Sequence, residues 1–282
     1  GLLTQNLYHF QEKALFNKVE TVIPNAKKQK YLFKFLEFYN RNISNHIKDE
    51  YREEIYHLSK FATDDYDFLT DKYKRCMFLH GAHDIGHAFQ DLMLVGCSSF
   101  AIRNDKTADR NLLVGRNFDF YVNDDFAKNK IIAFVKPTEG YPFMSITWAG
   151  MVGVTSGMNL EGLTITLNAA KSSIPYQSKT PISLIAREIL QYAKNIEEAI
   201  AIAKKRQVFV SESLLIASGS ENKAVIIEMA PELFSVYEQP NADEIICSNH
   251  FQSNVYANDP RNNDQIKNSH SQYRWDKMNQ VL

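Results

Sequence analysis

The sequence predicts an α+β protein in which antiparallel strands surround a pair of helices and follow a helical segment of about 96 residues. Three observations support this prediction. The hydrophobic pattern has a helical period up to about residue 96, short strand-like runs rich in β-branched and aromatic residues follow, and one helical block interrupts those runs. This order of elements differs from the regular alternation of strands and helices that is typical of a doubly wound parallel sheet.

The N-terminal part carries two helical stretches. Over residues 26–60, apolar side chains recur at spacings of three and four residues, which places them on one face of a helix. A second stretch with the same spacing runs from about Asp65 to Asp91. Gly81 and Gly86 lie within it, and glycine weakens a helix interior, so one unbroken helix is not expected there.

Ten strands are predicted after residue 96, each bounded by Gly, Asn, Asp or Pro. They cover Ser98–Arg103, Leu112–Arg116, Lys130–Val135, Met144–Trp148, Val152–Ser156, Leu163–Asn168, Ser213–Ala217, Ala224–Met229, Leu233–Tyr237 and Glu244–Ser248. Between the sixth and seventh strands, Pro181 suits the first turn of a helix, and Asn195 followed by Glu198 resembles a capping box that starts a second helix. A last helix is predicted from about Ser269.

Composition and charge narrow the classes of function. The 282-residue chain carries 32 Lys and Arg against 33 Asp and Glu, whereas a surface that follows nucleic-acid phosphates usually has a basic excess. No apolar run approaches the roughly 18–20 residues that span a bilayer. Neither a nucleic-acid partner nor a transmembrane segment is therefore expected. No signal peptide is visible in the sequence, which leaves open whether the protein is cytoplasmic or extracytoplasmic.

Three histidines form a candidate metal site. His83 and His87 are four residues apart in a predicted helical stretch and would share one helix face, with His80 close by. The metalloprotease motif requires Glu directly after the first histidine, but Asp84 follows His83, and the sequence marks no third ligand. Structural histidines are therefore the favoured interpretation, and no metal is expected.

Cys97 is the candidate nucleophile among three widely spaced cysteines that form no CxxC pair. It follows Gly96 at the junction between the helical part and the first predicted strand. Two adjacent antiparallel strands would place Arg116 and Asp119 beside the start of the Cys97 strand. Each feature is weak alone, because most single cysteines are buried small apolar residues and most Arg–Asp pairs lie on the surface. Together they place a cation and a carboxylate near a thiol.

Five motifs in a fixed order carry a resemblance to a known family. They are Gly96-Cys97-Ser98-Ser99-Phe100, Gly115-Arg116-Asn117-Phe118-Asp119, Gly153-Val154-Thr155-Ser156-Gly157-Met158-Asn159 continuing through Gly162-Leu163-Thr164 to Leu167-Asn168, Ser248-Asn249-His250-Phe251, and Ser271 with Arg274. The chain resembles the N-terminal-nucleophile amide hydrolases and acyltransferases related to choloylglycine hydrolase, most closely their penicillin acyltransferase-like branch, with acid ceramidase as a related branch. The resemblance covers roughly Tyr51 to Arg274 and implies a four-layer αββα sandwich of antiparallel sheets.

The resemblance also implies self-activation by cleavage between Gly96 and Cys97. Residues 1–96 would be a helical prosegment, released or retained after cleavage, and residues 97–282 would be the catalytic domain. Because relatives usually continue with further strands, a truncated C-terminal end is expected. The thiol would attack the Gly96 carbonyl, the peptide would shift to a thioester, and water would release the prosegment. Glycine before the nucleophile keeps steric hindrance at the scissile bond low.

For the mature enzyme, the resemblance assigns a role to each site residue. Cys97 would attack the substrate amide, and its freed α-amino group, which titrates near ~8, would be the base. Asp119 would hold that amine, and Arg116 would favour the thiolate. The amides of Asn168 and Asn249 would stabilise the oxyanion.

Arg274 matches the last arginine of the family pattern and would support the charge network of the site. No metal or organic cofactor is implied. The implied substrate is the linear amide bond of a small-molecule N-acyl compound. Aromatic and apolar residues that follow the nucleophile could line a pocket for an apolar acyl group, and half or more of them are expected to be ordinary core instead. These residues are Phe118, Phe120, Tyr121, Phe143, Trp148 and Met151.

Three alternatives stay open. An acyltransferase would use the same acyl-enzyme and would differ only in whether an amine or water reaches the thioester. A non-catalytic relative would keep residues 1–96 uncleaved as a helical cap and would bind a lipid or a partner. A Cys-His-Asn protease built from Cys97, His250 and Asn249 is least favoured, because the papain-like signature is absent and adjacent His and Asn are poorly placed for one to orient the other.

Overall fold

The computed structural model describes residues 2–81, 84, 96–171, 176–239 and 242–282, and it confirms the predicted α+β class. Among these residues, two antiparallel sheets pack face to face, and helices cover the outer side of each. The layers follow the αββα order that the resemblance implied. No helix in the described ranges has the length and hydrophobicity needed to cross a membrane.

The helices divide into an N-terminal group and two later pairs. Within the described residues, the α-helices are α1 Gln5–Val22, α2 Ala26–Tyr39, α3 Asp49–Ser59, α4 Lys72–His80, α5 Ile182–Tyr192, α6 Ile196–Lys204, α7 Pro260–Asn268 and α8 Ser271–Val281. Short 3₁₀ helices cover Leu2–Thr4, Ile43–His46, Asn104–Lys106 and Asn254–Tyr256. At α6, the Asn195 side chain accepts a hydrogen bond from the backbone N–H of Glu198, as the capping-box pattern predicts.

Three helix predictions need correction. The stretch over residues 26–60 is two helices, because α2 ends at Tyr39 and α3 begins only at Asp49. The stretch predicted from Asp65 to Asp91 begins as turns, and its helix starts only at Lys72, because the Asp71 side chain caps the backbone N–H of Lys74. Residues 82–83 and 85–95 lie outside the described residues. The last helix starts at Ser271 and not at about Ser269, and it is preceded by α7, which was not predicted.

The strands form one large and one small sheet. They are β1 Ser98–Ile102, β2 Leu113–Asn117, β3 Ile131–Val135, β4 Phe143–Thr147, β5 Ser156–Asn159, β6 Leu163–Ala169, β7 Glu212–Ser218, β8 Lys223–Met229, β9 Phe234–Tyr237 and β10 Glu244–Cys247. The small sheet has the order β10-β1-β2, and the large sheet runs in sequence order from β3 to β9. Every predicted strand overlaps an observed one, although the fifth shares only Ser156 with β5.

Residues 152–155 were predicted to be part of a strand, but they pack against the first turn of α5. The N–H of Val154 donates to the carbonyl oxygen of Ser183 at 2.8 Å. A Cβ atom on Gly153 would lie 2.5 Å from Ser183 Oγ, so only glycine allows this close approach. The backbone therefore meets the helix at Gly153 and Val154, and it rejoins β6 at Thr155, whose carbonyl oxygen accepts from the N–H of Leu167 at 3.1 Å.

The main core lies between the large sheet and helices α5 and α6. Leu163, Ile165 and Leu167 of β6 project to this side and pack with Ile185 and Ile189 of α5. All five side chains are at most 1% exposed. Burial of each contributes roughly 1.5–3 kcal/mol, so this core fixes the sheet whose opposite face carries the site described below.

A second core fills the space between the two sheets. It combines small and branched side chains from both, namely Ala101, Leu215, Ala217, Ile226, Ile245 and Cys247. Helices α7 and α8 cover the outer side of the small sheet. There, Trp275 Nε1 of α8 donates to Gln252 Oε1 at 2.8 Å, and Gln252 Nε2 donates to the carbonyl oxygen of Ile246 in β10 at 2.7 Å.

The N-terminal helices share a buried cluster with the strand-rich part. Tyr51 of α3 and Met77 of α4 pack with Leu184 of α5 in this cluster. The carboxylate of Asp84 accepts a hydrogen bond from the N–H of Ile182 at 2.8 Å, where α5 begins. The segment therefore caps a helix of the strand-rich part as well as covering it.

Buried polar contacts strengthen the same interface. Arg187 of α5 is 2% exposed and pairs with Glu54 of α3 at 2.9 Å. His80 Nδ1 donates to the carbonyl oxygen of Cys76, and His80 Nε2 accepts from the N–H of Val152, each at 2.8 Å. Burial lowers the pKa of His80 to about 4, so the ring is neutral and has both nitrogens paired.

Candidate functional site

The pairing of β1 with β2 brings Cys97, Arg116 and Asp119 together. In the antiparallel register, Ser98 lies opposite Asn117, and Ser99 lies opposite Arg116. The pairing continues past the strand ends, because the N–H of Gly96 donates to the carbonyl oxygen of Asp119 at 3.0 Å. The structure thus places the three residues as the strand pattern predicts, at one end of the space between the two sheets.

The thiol of Cys97 is buried between a carbonyl group and a cation. Its Sγ atom lies 4.0 Å from the carbonyl oxygen of Asp119 and 4.0 Å from Arg116 Nη2. Burial raises the pKa of the Cys97 thiol, and the guanidinium of Arg116 opposes that rise. The cation is therefore a nearby group that favours the reactive thiolate.

Arg116 is fixed by contacts on several sides. Nη1 donates to Ser156 Oγ at 2.6 Å, and Nη2 donates to the carbonyl oxygen of Leu167 at 2.5 Å. The guanidinium also lies over the ring of Phe118, 4.1 Å from its centre. These contacts hold Nη2 of the guanidinium toward Cys97 and leave it little rotational freedom.

The carboxylate of Asp119 lies beside the peptide bond that precedes Cys97. Asn117 Nδ2 donates to Asp119 Oδ1 at 2.9 Å. A Cβ atom built on Gly96 would come within 3.3 Å of Asp119 Oδ2, so the carboxylate closely approaches the Gly96 backbone. Asp119 is exposed, whereas Cys97 is buried.

Arg274 of α8 reaches the same peptide from the other side of the small sheet. Its Nη1 donates to the carbonyl oxygen of Gly96 at 2.9 Å and to Ser98 Oγ at 2.9 Å, and it also contacts the carbonyl oxygen of Cys97. Its Nη2 donates to Asn249 Oδ1 at 2.7 Å. The guanidinium therefore contacts both carbonyl oxygens that flank Cys97.

Asn168 of β6 projects into the layer between the two sheets. Asn249 lies in the turn after β10. Asn168 Nδ2 donates to the carbonyl oxygen of Cys247 at 3.2 Å, and Asn168 Oδ1 accepts from Ser99 Oγ at 3.0 Å. Asn249 Nδ2 donates to the carbonyl oxygen of Ala169 at 2.6 Å. Asn249 thus contacts Arg274 directly, whereas Asn168 reaches the Cys97 strand through Ser99.

A cluster of hydroxyl groups holds the turn that carries Asn249. The N–H of Asn249 donates to Ser271 Oγ at 2.8 Å, and Ser271 Oγ also lies 3.0 Å from Ser248 Oγ. His250 Nδ1 lies 2.8 Å from Ser271 Oγ and 3.0 Å from Ser248 Oγ. Burial and the nearby charge of Arg274 lower the pKa of His250 to about 4. This ring faces hydroxyl groups, so the contacts do not support the Cys-His-Asn arrangement.

Two residues of the site were named from the sequence only as members of motifs, without a role. Ser156 anchors Arg116, and Ser271 anchors both Asn249 and the start of α8. Both occur within the motifs that carry the resemblance, and that position was the available signal. A serine alone gives no sign of its partner, because its hydroxyl group is common on surfaces and in caps.

The predicted apolar pocket is formed only in part. A cavity is lined by Phe120, Trp148 and Met151 from the strand-rich part and by Tyr8 and Leu15 of α1. The N-terminal segment therefore covers this cavity. Its lining does not include Cys97.

A row of aromatic rings connects the cavity to Arg116. Ring centres of Phe118 and Phe120 are 6.1 Å apart, those of Phe120 and Phe126 are 6.0 Å apart, and those of Phe126 and Trp148 are 5.1 Å apart. Phe143 does not line the cavity, because it is buried in the core against α5, as was expected for half or more of these residues. Tyr121 is 56% exposed.

The described residues contain no group of three or more His, Cys, Asp or Glu side chains that could bind a metal ion. His80 uses both ring nitrogens in hydrogen bonds to backbone groups. The other two histidines of the candidate metal cluster, His83 and His87, lie outside the described residues.

Comparison with known proteins gives the family. The family model described as acyl-coenzyme A:6-aminopenicillanic acid acyl-transferase matches residues 104–282, which is more than half of the chain. The chain belongs to this family. Membership in the acyl-transferase family confirms the resemblance to the penicillin acyltransferase-like branch. The matched range begins after Cys97, so it includes Arg116 and Arg274 but not the candidate nucleophile.

Individual relatives are more distant. An uncharacterized protein of Archaeoglobus fulgidus is 28% identical over 204 residues, which cover 68% of this chain and 34% of that protein. The chain therefore spans about a third of the length of this relative. Among solved structures, a Caenorhabditis elegans N-acylethanolamine-hydrolyzing acid amidase ortholog has a TM-score of 0.46 at 20% identity, covering 61% of this chain and 77% of that chain. A mutant of conjugated bile acid hydrolase from Clostridium perfringens has a TM-score of 0.41 at 15% identity, covering 57% and 55%.

Proposed function

We propose that the protein is a self-processing cysteine amidohydrolase that forms an acyl-enzyme on Cys97 and cleaves the linear amide bond of a small N-acyl compound. One observation carries the proposal. The peptide bond between Gly96 and Cys97 lies among Arg116, Asp119 and Arg274, so the chain presents its own amide to the groups that amide hydrolysis needs.

The first reaction is cleavage of the chain itself. Cys97 Sγ attacks the carbonyl carbon of Gly96 and forms a C–S bond, and the thiol proton passes to the departing nitrogen of Cys97 as the C–N bond breaks. Water then adds to the thioester, and the C–S bond breaks to give a Gly96 carboxylate and a free thiol. This step would divide the protein into residues 1–96 and a catalytic domain of residues 97–282.

Cleavage creates the base of the mature enzyme. The new α-amino group of Cys97 would have a pKa of about 8 and could take the thiol proton at neutral pH. The Asp119 carboxylate lies close to the Gly96 backbone, which supports a role in accepting a hydrogen bond from that amine. Arg116, 4.0 Å from Sγ, favours the thiolate that attacks the substrate.

The two asparagines would supply donors to the oxyanion. Each carboxamide has two N–H bonds, and one is used by a backbone carbonyl oxygen, that of Cys247 for Asn168 and that of Ala169 for Asn249. Among the contacts of the described residues, the second N–H bond of each has no assigned acceptor. Loss of one oxyanion donor typically costs about 3 kcal/mol in the barrier.

The N-terminal segment would stay bound after cleavage. It contributes the cap of α5, the Glu54–Arg187 pair and part of the buried cluster around Tyr51. It also covers the cavity that the row of aromatic rings connects to Arg116. This row and cavity are the apolar surface that favours a hydrophobic acyl group.

A direct test follows the acyl-enzyme. Cleaved protein would be incubated with a panel of N-acyl amino acids and N-acyl amines of short and long chain, and released acid and the mass of the Cys97 peptide would be measured. Hydrolysis together with an acyl adduct on Cys97 supports the proposal. The control Cys76→Ala changes another buried cysteine and should retain both the hydrolysis and the adduct. Absence of both acid and adduct in cleaved protein contradicts the amidohydrolase, whereas folded protein that stays uncleaved and forms neither supports the non-catalytic, lipid- or partner-binding alternative.

An acyltransferase is the second candidate, and the family to which the chain belongs supports it by its description. Both reactions share the acyl-enzyme and differ in the acceptor. The same incubation with added 6-aminopenicillanic acid or a simple primary amine would separate them. A new acyl amide that forms faster than free acid indicates a transferase, and free acid alone indicates a hydrolase.

A further inference from the structure

The contacts of Arg274 are concentrated on the atoms that change during self-cleavage. Its Nη1 group has two N–H bonds and faces three oxygens, which are the carbonyl oxygens of Gly96 and Cys97 and the hydroxyl of Ser98. The donors are therefore shared. An oxygen that gains negative charge competes best for shared donors, because hydrogen bonds to charged acceptors are about twice as strong as neutral ones.

We propose that Arg274 acts on Gly96 twice, first on the oxyanion of self-cleavage and then on the carboxylate that cleavage creates. The inference rests on the proposed function. When Cys97 Sγ adds to the Gly96 carbonyl carbon, the carbonyl oxygen becomes the oxyanion, and Nη1 is already 2.9 Å from it. This contact strengthens in the transition state, which is the condition for a catalytic effect.

Hydrolysis of the thioester leaves Gly96 with a full negative charge at the same place. One oxygen of the new carboxylate comes from the carbonyl oxygen that Nη1 contacts, and the other comes from water. The Arg274 guanidinium is fixed in position, because its Nη2 donates to Asn249 Oδ1 at 2.7 Å and the N–H of Asn249 donates to Ser271 Oγ. The charged pair would therefore keep Gly96 next to Cys97 after the peptide bond is broken.

The consequence is a product-bound state. The carboxylate of Gly96 would occupy the position of an acyl group released from the Cys97 thioester, so the end of the N-terminal segment would compete with substrate until it is displaced. Residue 96 would also be shielded from solvent in the native cleaved protein. This shielding gives a measurement that does not depend on the substrate.

The first measurement is the rate of self-cleavage, started by dilution from denaturant and followed by intact mass. We expect Arg274→Met to slow cleavage by about 10²–10³-fold, the effect of losing one oxyanion donor. Arg274→Lys keeps the charge, so its cleavage rate should lie between those of the wild type and Arg274→Met. Arg261→Met removes an exposed arginine of the neighbouring helix α7 and should cleave at the wild-type rate.

The second measurement treats cleaved, native protein with a carboxypeptidase and follows the mass of the N-terminal fragment. In the wild type and in Arg261→Met, Gly96 should remain, whereas the cleaved fraction of Arg274→Met, which lacks the charge, should lose it. Wild-type protein unfolded in urea is the positive control for trimming. The comparison of native with unfolded wild-type protein tests the protection of Gly96 even where Arg274 variants yield too little cleaved protein.

The outcomes separate the two proposals. If folded wild-type protein stays intact, both the self-processing function and this inference fail. If wild type is cleaved but Arg274→Met is cleaved at the same rate, or native wild type loses Gly96 as fast as the unfolded control, only the inference fails. Slow cleavage of Arg274→Met together with a protected Gly96 in the wild type supports both tasks of Arg274.

Discussion

Removal of the cation next to the thiol should slow self-cleavage in a pH-dependent way. Arg116 is the charged group that most opposes the rise in the Cys97 pKa caused by burial. Its Nη2 lies 4.0 Å from Sγ, and contacts with Ser156 and Leu167 fix it there. Arg116→Met keeps an unbranched side chain of similar reach and removes the charge.

The magnitude follows from the distance. Two unit charges 4.0 Å apart interact by about 4 kcal/mol at an effective dielectric constant of about 20. About half of this loss is offset, because a thiolate that is less stabilised is a better nucleophile. The remaining increase of about 2 kcal/mol in the barrier corresponds to roughly thirtyfold slower cleavage at neutral pH. The difference should shrink as pH rises, because the variant thiol then also ionises.

The assay is a time course of intact mass after dilution from denaturant, repeated across pH values, for wild type, Arg116→Met and Arg116→Lys. Arg116→Lys keeps the cation, so its cleavage rate should fall less than that of Arg116→Met. Urea unfolding of each variant shows whether it is folded, since the substitution also removes a partner from Ser156 Oγ and from the Leu167 carbonyl oxygen. A folded Arg116→Met protein with the wild-type rate and pH profile would refute the reasoning.

Contacts away from the reacting atoms give three further expectations. His80 has a native pKa of about 4, below its ordinary value of 6.5, so the unfolded chain binds the proton first as pH falls. The free energy of unfolding should therefore drop by roughly 3 kcal/mol between these two pH values. Urea unfolding of His80→Gln should lack this pH-dependent loss. Gly115→Ala would place a Cβ atom 2.4 Å from the Phe100 ring, so unfolding in urea should show a loss of about 1–3 kcal/mol, and an unchanged midpoint would mean that Phe100 moves freely. The two cleaved fragments should co-elute in size-exclusion chromatography, and Arg187→Met, which removes the partner of Glu54, should let them separate at a lower urea concentration; separation of the wild-type fragments without urea would contradict retention of the segment.

The strand pattern predicted most of the architecture because buried strands alternate short apolar runs with turn residues. It also predicted the β1–β2 pairing that places Arg116 opposite Ser99, since residues 104–112 are too few for a crossover connection. The roles assigned to Asn168 and Asn249 stay predictions, because contacts without a bound substrate do not identify the oxyanion.

Other features depend on contacts that a linear pattern does not contain. Helix α7 has Asn262 as its buried residue, so it lacks the apolar stripe that predicts a helix, and its start depends on the cap by Asp259 and on Pro260. Phe143 follows the nucleophile in sequence but projects to the helix side of the large sheet. The reach of Arg274 to Gly96 joins residues 178 positions apart and could not be seen without the fold.

Intact mass of purified protein, beside a Cys97→Ala variant, tests the central claim most directly. The whole chain has a mass of 32.4 kDa, which divides by residue count into about 11 kDa for residues 1–96 and about 21 kDa for residues 97–282. We expect these two masses from the wild type and a single mass of the full chain from the variant. If the folded wild type also retains the full mass, the α-amino base is never formed, and self-activation at Cys97 is wrong.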